Sequence, residues 1–383
     1  MENYKRQWTK NISTELLSGI VVCMALIPEA IGFTIVAGVD PIIGVYSCFT
    51  MSIIISIFGG RPAMISAAAG SMAFVLATLV RNYGVQYMLA ATILAGVFQV
   101  ILGVLNVSKL LDYIPSSVRV GFVNALGIMM FKSQLNHFKG SIKLVIFGMI
   151  GVAVIYFFPR INKKIPSPII SIILVTSIIF LTGIDVPTLG DMGKITPELP
   201  RFKIPNIPYN FQTLRIILSY SISLAIVGLL ESLLTSKLVD EYTDTSSNKK
   251  MECLGQGFAN VGTGLFGGIA GCGMIGQTVI NIEYGGRGRL STFTAGTLMM
   301  LFVILFNKLF LNMPVVALAS VMIVVAIKTF NWESVIKIRE IQIVDTVVML
   351  ITVTIVLVFN NLAYGVIVGS ILDLIVKRID KAK

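Results

Sequence analysis

Two glutamates interrupt long apolar stretches of this 383-residue sequence: Glu29 beside Pro28, and Glu231 four positions before Thr235. A charged side chain at the centre of a bilayer costs about 2.5–3.5 kcal/mol, so residues of this kind mark function by default. The spacing from Glu231 to Thr235 puts both side chains on one face of a helix. Carboxylate and hydroxyl oxygens are the ligands that hard cations prefer. We therefore predict that Glu231, Thr235 and Glu29 bind or carry a coupling cation, with Glu231 and Thr235 as candidate sodium ligands.

Each of these glutamates also has a structural explanation. Glu231 could hydrogen-bond to a neighbouring helix, and Glu29 could stabilise the helix kink that Pro28 would produce. Four aspartates stand near the ends of apolar segments, and we interpret them as solvated or interfacial: Asp112, Asp240, Asp345 and Asp373. His137, the single histidine, is predicted to lie in a loop without a functional role.

The composition excludes a soluble enzyme. Hydrophobic residues make up 55% of the chain, charged residues 13%, and mean hydropathy is +0.88, whereas soluble domains carry about 25% charged residues. Four scattered cysteines and one histidine give no metal cluster, and no nucleophile–base pair is visible. We predict neither an enzyme nor a cofactor. The net charge of +11 indicates membrane topology and some attraction to anionic lipid, with no nucleic-acid partner.

A transmembrane helix needs about 20 mostly apolar residues, and the chain contains 14 candidate segments. Seven lie at 13–37, 41–59, 63–80, 87–107, 115–135, 141–159 and 166–184, and seven at 212–239, 251–267, 270–282, 290–311, 313–329, 341–359 and 361–377. A Pro-rich stretch separates the two sets. We predict an all-α polytopic membrane protein with a first inverted repeat (1–184), an extracytoplasmic connection (185–211) and a second inverted repeat (212–383).

The distribution of Lys and Arg predicts the orientation. With an even number of segments, both termini lie on one side of the membrane, and that side receives 21 of the 30 basic residues against 9 on the other. We therefore expect a multi-pass protein of the cell membrane with both termini in the cytoplasm.

The same three residues end the second segment of each half, at 58–60 and 266–268. A Gly-, Ala- and Ser-rich segment follows each, and the second is too short to cross a bilayer as a helix. Short Gly-interrupted segments at matching places in inverted halves indicate a transporter binding site. Half-helices that start around Gly70–Ser71 and Gly276–Gln277 would direct two N-termini, each with about half a positive charge, at one anion. The alternative is that these small residues only permit close helix packing.

Two pairs of sequence stretches carry a family resemblance. IPEAIGFTIVAGVDPIIGVYS (27–47) with FGGRPAMISAAAGSM (58–72), and VGLLESLLTSKLVDEYT (227–243) with GQGFANVGTGLFGGIAGCGMIGQTVINIEYGGRGRLS (255–291), resemble the sulfate permease (SulP) family of anion transporters. The resemblance covers nearly the whole chain. It implies a 7+7 inverted repeat in which a core domain moves against a gate domain, with the anion between the half-helices of the third and tenth segments. The residues expected at the anion are Ala69, Gly70, Ser71, Ile275, Gly276, Gln277 and Thr278.

The chain departs from the family pattern at several positions. Glu29 stands where members usually have Gln, and Gln277 stands about where animal members have Arg. A cyanobacterial sodium–bicarbonate relative has an Asp–Thr pair that matches the eighth-segment pair here, but it has Thr where this chain has Ala69 and Ile275. Most members carry a cytoplasmic C-terminal STAS domain. This sequence ends directly after its last span, so we expect that domain to be absent.

The main hypothesis is secondary active transport of a small inorganic anion, sulfate first, coupled to protons. Two half-helix ends offer about one positive charge, whereas two ionised glutamates and an anion would leave the pocket strongly negative, so a cation must enter as well. The alternatives are sodium-coupled bicarbonate or dicarboxylate transport, and a nucleobase-type permease of the same architecture. An intramembrane enzyme or a structural membrane protein forms a further class. The sequence leaves the oligomeric state open, a homodimer included.

Overall fold

The computed structural model of the protein describes residues 2–107, 114–162, 165–193, 195, 197–359 and 361–381. Helices contain 77% of the described residues, and each of the 14 predicted segments contains a helix. Within the described residues, five helices have the length and composition to cross a membrane, and five shorter apolar helices accompany them. The prediction of an all-α polytopic membrane protein is confirmed. Outside the described residues lie the predicted interfacial Asp112 and five of the counted basic residues: Lys109, Lys163, Lys164, Lys194 and Lys383.

In the part of the first half that the structure describes, there are eight α-helices and one short strand. In chain order they are α1 (Glu2–Thr9), α2 (Ile12–Ala37), α3 (Pro41–Phe58), β1 (Ser66–Ala68), α4 (Gly70–Tyr83), α5 (Val85–Val104), α6 (Ser116–Gln134), α7 (Ile142–Phe157) and α8 (Ser167–Thr182).

The described residues of the remainder form the second strand and ten more α-helices. They are α9 (Leu189–Met192), α10 (Phe211–Thr243), α11 (Lys249–Leu265), β2 (Gly271–Gly273), α12 (Ile275–Glu283), α13 (Leu290–Leu305), α14 (Asn307–Leu311), α15 (Val315–Thr329), α16 (Glu333–Ile336), α17 (Ile343–Phe359) and α18 (Leu362–Lys381). Each half thus has two helices, a strand and a short helix in the same order, although the division into repeats stays a prediction.

The helices pack as two groups. The core group consists of both strands, α2–α5 and α10–α13; in it α5 packs on α10 and α11, and α13 packs on α2 and α3. The gate group consists of α6–α8, α15, α17 and α18; in it α6 packs on α15, α17 and α18. The two groups meet where α15 contacts α2 and where α18 contacts α10. This arrangement agrees with the core and gate that the family resemblance implies.

Glycines bring α5 and α11 into backbone contact. A Cβ atom added at Gly96 would lie 2.6 Å from the carbonyl oxygen of Gly257, and one added at Gly257 would lie 2.7 Å from the backbone nitrogen of Val100. Apolar burial does not drive helices together in lipid, so close packing of this kind supplies the attraction. The contact fixes α11, which precedes β2, against the helix that follows α4.

Two buried glutamates hold the loops at the ends of the broken segments. Glu252, in the first turn of α11, accepts hydrogen bonds from the backbone nitrogens of Gly60 (2.8 Å) and Arg61 (2.9 Å). Glu15, in the first turn of α2, accepts one from the backbone nitrogen of Gly288 (2.7 Å). Buried backbone donors need such partners, so both carboxylates have a structural function.

The Pro-rich connection is attached to both groups. The backbone nitrogen of Leu189 donates to the carbonyl of Met313, next to α15, at 2.9 Å. Further along the connection, the backbone nitrogen of Lys203 donates to the carbonyl of Leu265, at the end of α11, at 2.7 Å. The connection therefore links the gate group to the core group.

Two aspartates differ from the interpretation of the sequence. Asp373, expected to be solvated or interfacial, is only 2% exposed, because its helix α18 packs on α6, α10 and α17. Asp240 pairs with Arg61 (3.1 Å) and Lys249 (2.6 Å) instead of standing free in solvent. His137, expected in a loop, lies in a short 3₁₀ helix (Leu135–Phe138) between α6 and α7, where burial lowers the pKa of its imidazole.

Gly96→Leu is expected to destabilise the core group. Overpacking a tight contact costs about 1–3 kcal/mol, and here the added side chain would push α5 away from α11. Size-exclusion chromatography after heating would report a lower apparent Tm. Val97→Leu, one position on and 40% exposed, is the matched control and should leave the Tm unchanged. Equal Tm values for the two variants would contradict the role assigned to this contact.

Candidate functional site

The two broken segments meet as a short, buried, antiparallel ladder. Its residue pairs are Ser66 with Gly273, Ala67 with Cys272 and Ala68 with Gly271. β1 leads into α4, and β2 leads into α12. Because the strands run in opposite directions, the two half-helices leave the ladder at opposite ends.

The two half-helices are too short to cross the membrane. α4 has 14 residues and α12 has 9, so their lengths are about 21 and 14 Å, against a hydrocarbon core of about 30 Å. Ala69 and Met274, which precede them, are extended and provide no side-chain cap. Their first backbone N–H groups lack intrahelical partners and form the positive ends of the helix dipoles. The predicted half-helices are confirmed, with starts at Gly70 and Ile275.

Glu231 joins the start of α4 to the ladder. Its Oε2 accepts hydrogen bonds from Ser71 Oγ (2.5 Å) and Cys272 Sγ (3.1 Å). Ser71 and Cys272 are buried, whereas Glu231 is half-buried. A carboxylate therefore lies at the positive end of α4. Reasoning from the sequence missed Cys272, because a single cysteine in a Gly-rich segment carries no spacing signal.

Thr235 lies one turn further along α10. Its hydroxyl contacts the carbonyl oxygens of Glu231 (2.8 Å) and Gly273 (3.1 Å), and Ser232 Oγ accepts a hydrogen bond from the backbone nitrogen of Gly273 (2.9 Å). The structure brings Thr235 beside Glu231, but the Thr235 hydroxyl donor fastens α10 to β2. No group of three His, Cys, Asp or Glu side chains that could hold a metal ion occurs among the described residues.

Glu29 faces the other half-helix. It is 8% exposed, and the side chain of Gln277, which is 2% exposed, lies within hydrogen-bonding reach of its carboxylate. The ammonium group of Lys328, on the gate helix α15, interacts electrostatically with the same carboxylate. Glu29 therefore lies beside the start of α12, and Glu231 lies beside the start of α4. Lys328 was not foreseen, because its position near the end of an apolar segment resembles that of any interfacial lysine.

The two half-helix starts differ in how open they are. Gly276 is exposed, a Cβ atom added there would meet no atom within 4 Å, and Ile275 beside it is half-buried. Gly70 is buried, and a Cβ atom added there would lie 2.8 Å from the ring of Phe33. The start of α12 is therefore more accessible than the start of α4.

Side chains around the ladder satisfy its backbone groups. Asn260 Oδ1 accepts a hydrogen bond from the backbone nitrogen of Gly271 (2.9 Å), and its Nδ2 donates to the Gly271 carbonyl (3.0 Å). Thr278, expected near the anion, is buried, and its hydroxyl accepts a hydrogen bond from the backbone nitrogen of Ile65 (3.0 Å). The Thr278 side chain therefore stabilises the backbone that leads into β1.

The arginines next to the broken segments are bound to other partners. Arg61 pairs with Asp240 (3.1 Å), and Arg289 donates to the carbonyls of Ser56 (2.9 Å) and Gly59 (2.8 Å). The site consists of two half-helix ends, two carboxylates and the hydroxyl and thiol donors between them. Such a site can attract a small anion through fixed N–H groups and can take up a cation on its carboxylates.

Comparison with known proteins identifies the architecture. The model of the sulfate permease family matches residues 12–143 and 139–352. The chain is 50% identical over 382 residues to "Putative sulfate transporter YbaR" of Bacillus subtilis (strain 168), covering 99% of this chain and 80% of YbaR. It is 28% identical over 403 residues to "Bicarbonate transporter BicA" of Picosynechococcus sp. (strain PCC 7002), covering 96% of this chain and 68% of BicA.

Two solved structures share the fold. The transmembrane domain of a cyanobacterial BicA has a TM-score of 0.82 at 25% identity and covers 96% of this chain and 97% of that one. Murine Slc26a9, an anion transporter in the inward-facing state, has a TM-score of 0.85 at 16% identity and covers 97% of this chain and 69% of that one. This chain therefore belongs to the sulfate permease family and is a multi-pass membrane protein that transports anions, not an enzyme.

Proposed function

We propose that the protein is a secondary active transporter that moves sulfate together with protons by alternating access. The observation that carries this proposal is the contact between Ser71 and Glu231, which joins the positive end of a half-helix to a titratable group in the membrane. An anion that binds at the half-helix ends must share this space with the carboxylate. Its binding is therefore coupled to the charge of Glu231.

Charge balance favours a proton as the coupling ion. Two half-helix ends contribute about one positive charge, while Glu29, Glu231 and a divalent anion would together contribute four negative charges if both glutamates were ionised. Like charges in a low dielectric repel strongly. Protonation of one or both glutamates, at fixed and buried positions, reduces this repulsion without the need for a preformed metal cage.

The proposal of sulfate as the substrate is supported by the similarity to YbaR, a putative sulfate transporter that matches almost the whole chain. The orientation, with both termini in the cytoplasm, and the homodimer remain predictions from the sequence.

A second candidate is sodium-coupled bicarbonate transport. Two observations favour it. Oxygen atoms of Glu231, Thr235 and the Gly273 carbonyl lie close together where α10 contacts β2. The chain is also similar to BicA. The loss of hydroxyl side chains at Ala69 and Ile275 counts against it, because those positions are threonines in the sodium–bicarbonate relative.

Uptake into proteoliposomes distinguishes the two candidates. Labelled sulfate, bicarbonate and fumarate would be tested separately under an imposed proton gradient and an imposed sodium gradient. Proton coupling predicts that sulfate accumulates under an inward proton gradient in the absence of sodium. Sodium-stimulated, pH-independent uptake would overturn the proton proposal and favour the second candidate, whereas transport of none of the three anions would overturn both.

Glu231→Gln should abolish gradient-driven uptake and leave a folded protein, because the amide keeps hydrogen-bond acceptors for Ser71 and Cys272 but cannot exchange a proton. Glu283→Gln is the matched control, since Glu283 is exposed at the far end of α12. It should transport normally. Full gradient-driven uptake by Glu231→Gln would remove Glu231 from the coupling mechanism.

Sulfate uptake should rise as external pH falls, because protonation of the glutamates removes negative charge from the site. Glu29→Gln should flatten this pH profile if Glu29 carries the proton, and it places the usual family residue at that position. Initial uptake rates over a series of external pH values, at a fixed membrane potential, provide the measurement. An unchanged profile would contradict a proton-carrying role for Glu29 and would leave it a structural role, next to Gln277 and the Pro28 kink.

Gly70→Leu and Gly276→Leu should both weaken anion binding more than tenfold, about 1.4 kcal/mol, for different reasons. The first places its side chain against Phe33 at the covered start of α4, and the second fills the open space at the start of α12. Gly276→Ala should bind normally, because its methyl group meets no atom within 4 Å. The measurement is sulfate affinity by competition.

Ala317→Ser and Ala319→Ser serve as gate-group controls for these variants, since both residues lie on the gate helix α15. We expect milder effects on affinity from them. Retained affinity in both leucine variants would place the anion elsewhere.

A further inference from the structure

A buried thiol lies beside the carboxylate of Glu231. Cys272 Sγ is 3.1 Å from Glu231 Oε2 and 3.8 Å from Ser71 Oγ. Ser71 Oγ is 2.5 Å from the same carboxylate oxygen, so three polar atoms from β2, α4 and α10 form a closed triangle. The side chain of Cys272 is fully buried, at 0% exposure. Buried cysteines mostly pack as small hydrophobic residues, whereas this one donates to a carboxylate at a half-helix start.

The packing of α10 on β2 fixes the position of this thiol. Cys272 is the one residue of β2 that is not glycine. A Cβ atom added at Gly228 of α10 would lie 3.9 Å from the Cβ of Cys272, and Gly228 shares a helix face with Glu231, three positions on. Ser232 of α10 accepts a hydrogen bond from the backbone nitrogen of Gly273 at 2.9 Å. Cys272 is therefore held against the turn of α10 that carries Glu231.

The two oxygens of the Glu231 carboxylate have different surroundings. Among the described residues, the side chains that donate to this carboxylate are Ser71 and Cys272, and both donate to Oε2. Oε2 is thereby held between α4 and β2, and Oε1 is the oxygen that can take up a proton without breaking either bond. A donor that is bonded to a carboxylate favours the ionised form. Each of the two donors therefore makes proton uptake by Glu231 harder, and removal of either should make it easier.

Cys272 is the ionisable group that the structure places in hydrogen-bonding contact with Glu231. Asp240, nine positions beyond Glu231 on α10, pairs with Arg61 and Lys249. Glu252 of α11 accepts hydrogen bonds from backbone nitrogens ahead of β1. Other ionisable side chains on the elements that pack against α10 include Arg81 of α4, Tyr87 of α5, Cys253 of α11, Glu283 of α12, and Tyr364 and Asp373 of α18. A change at Cys272 therefore acts on Glu231 more directly than a change at any of these groups.

We propose that Cys272 is a positioning residue for the coupling step: its thiol, together with the Ser71 hydroxyl, holds Oε2 of Glu231 against β2 and sets the pH at which Glu231 takes up the coupling proton. The proposal rests on the proposed function, because it assumes that Glu231 exchanges that proton. A thiol is a weaker donor than a hydroxyl. It stabilises the ionised carboxylate and still lets the carboxylate accept a proton during the transport cycle, which a second hydroxyl donor would hinder more.

Sulfate uptake into proteoliposomes over a series of pH values tests the proposal. Cys272→Ala removes the thiol donor, so Glu231 should bind a proton more readily. The pH of half-maximal uptake should then rise by about one unit, which is a tenfold change in proton affinity. Cys272→Ser keeps a donor and should not raise this pH. An equal rise in Cys272→Ser and Cys272→Ala would overturn the proposal, because the donor would then not be the cause.

Cys253→Ala is the matched control. Cys253 is a buried residue of α11 that packs with Leu229 and Leu233 of α10, which lie two positions before and after Glu231 and therefore on the other side of that helix. The control loses the same volume as Cys272→Ala, so it should lower the Tm by a similar amount but leave the pH of half-maximal uptake unchanged. If Cys272→Ala also lowered only the Tm, Cys272 would have a packing role alone and the proposal would be overturned.

Infrared spectroscopy separates this inference from the proposed function. The carboxyl absorbance that Glu231→Gln removes would be followed against pH in the purified protein, which requires no transport. Its midpoint should rise in Cys272→Ala by the same amount as the midpoint of uptake. If proteoliposomes take up no sulfate but the infrared midpoint rises, the proton–sulfate function fails and the effect of Cys272 on Glu231 is supported. If protons drive sulfate uptake but neither midpoint moves in Cys272→Ala, the function is supported and the proposal for Cys272 is overturned.

Discussion

The whole site depends on six residues of extended chain held inside a membrane protein. Extended backbone in a membrane is tolerated only where every N–H and C=O group has a partner in the protein. Here β1 and β2 supply partners for each other, and α10, α11 and α12 supply others. Ser232 and Asn260 bind the backbone of β2, and Thr278 binds the backbone that enters β1. Without these bonds, neither half-helix could start at its present place, and the proposed anion site would lose both positive ends.

Much of the fold could be predicted from the long apolar segments and from the places where those segments are interrupted. The 14 apolar segments, the short third and tenth segments, and the breaks near Gly70 and Gly276 are visible because lipid allows few exceptions to long apolar helices. The partners of buried polar groups are not visible in this way. Glu15, Glu252 and Asp373 are buried acids with different surroundings, yet in the sequence they resemble ordinary residues at the ends of segments.

The site could be predicted in part for the same reason. Glu29 and Glu231 stand out because a mid-membrane charge is costly, and the half-helix starts follow from the breaks. Cys272 and Lys328 could not be found, since their contribution depends on how α10 lies against β2 and how α15 lies against α2. Thr278 is expected near the anion from the sequence, and the structure adds a contact that the sequence does not show: its hydroxyl accepts a hydrogen bond from the backbone nitrogen of Ile65.

The two carboxylates occupy equivalent places with unequal partners. Glu29, on the first membrane helix of its half, faces the half-helix of the other half through Gln277, and Glu231, on the first helix of the second half, faces the half-helix of the first through Ser71. The backbone therefore offers two similar carboxylate positions, one at each helix end. The side chains make them different, because one position has an amide and a nearby lysine, and the other has a hydroxyl and a thiol. Two carboxylates in distinct surroundings can differ in protonation at the same pH. Under the proposed proton coupling, that difference would let one carboxylate take up and release the coupling proton while the other keeps its charge.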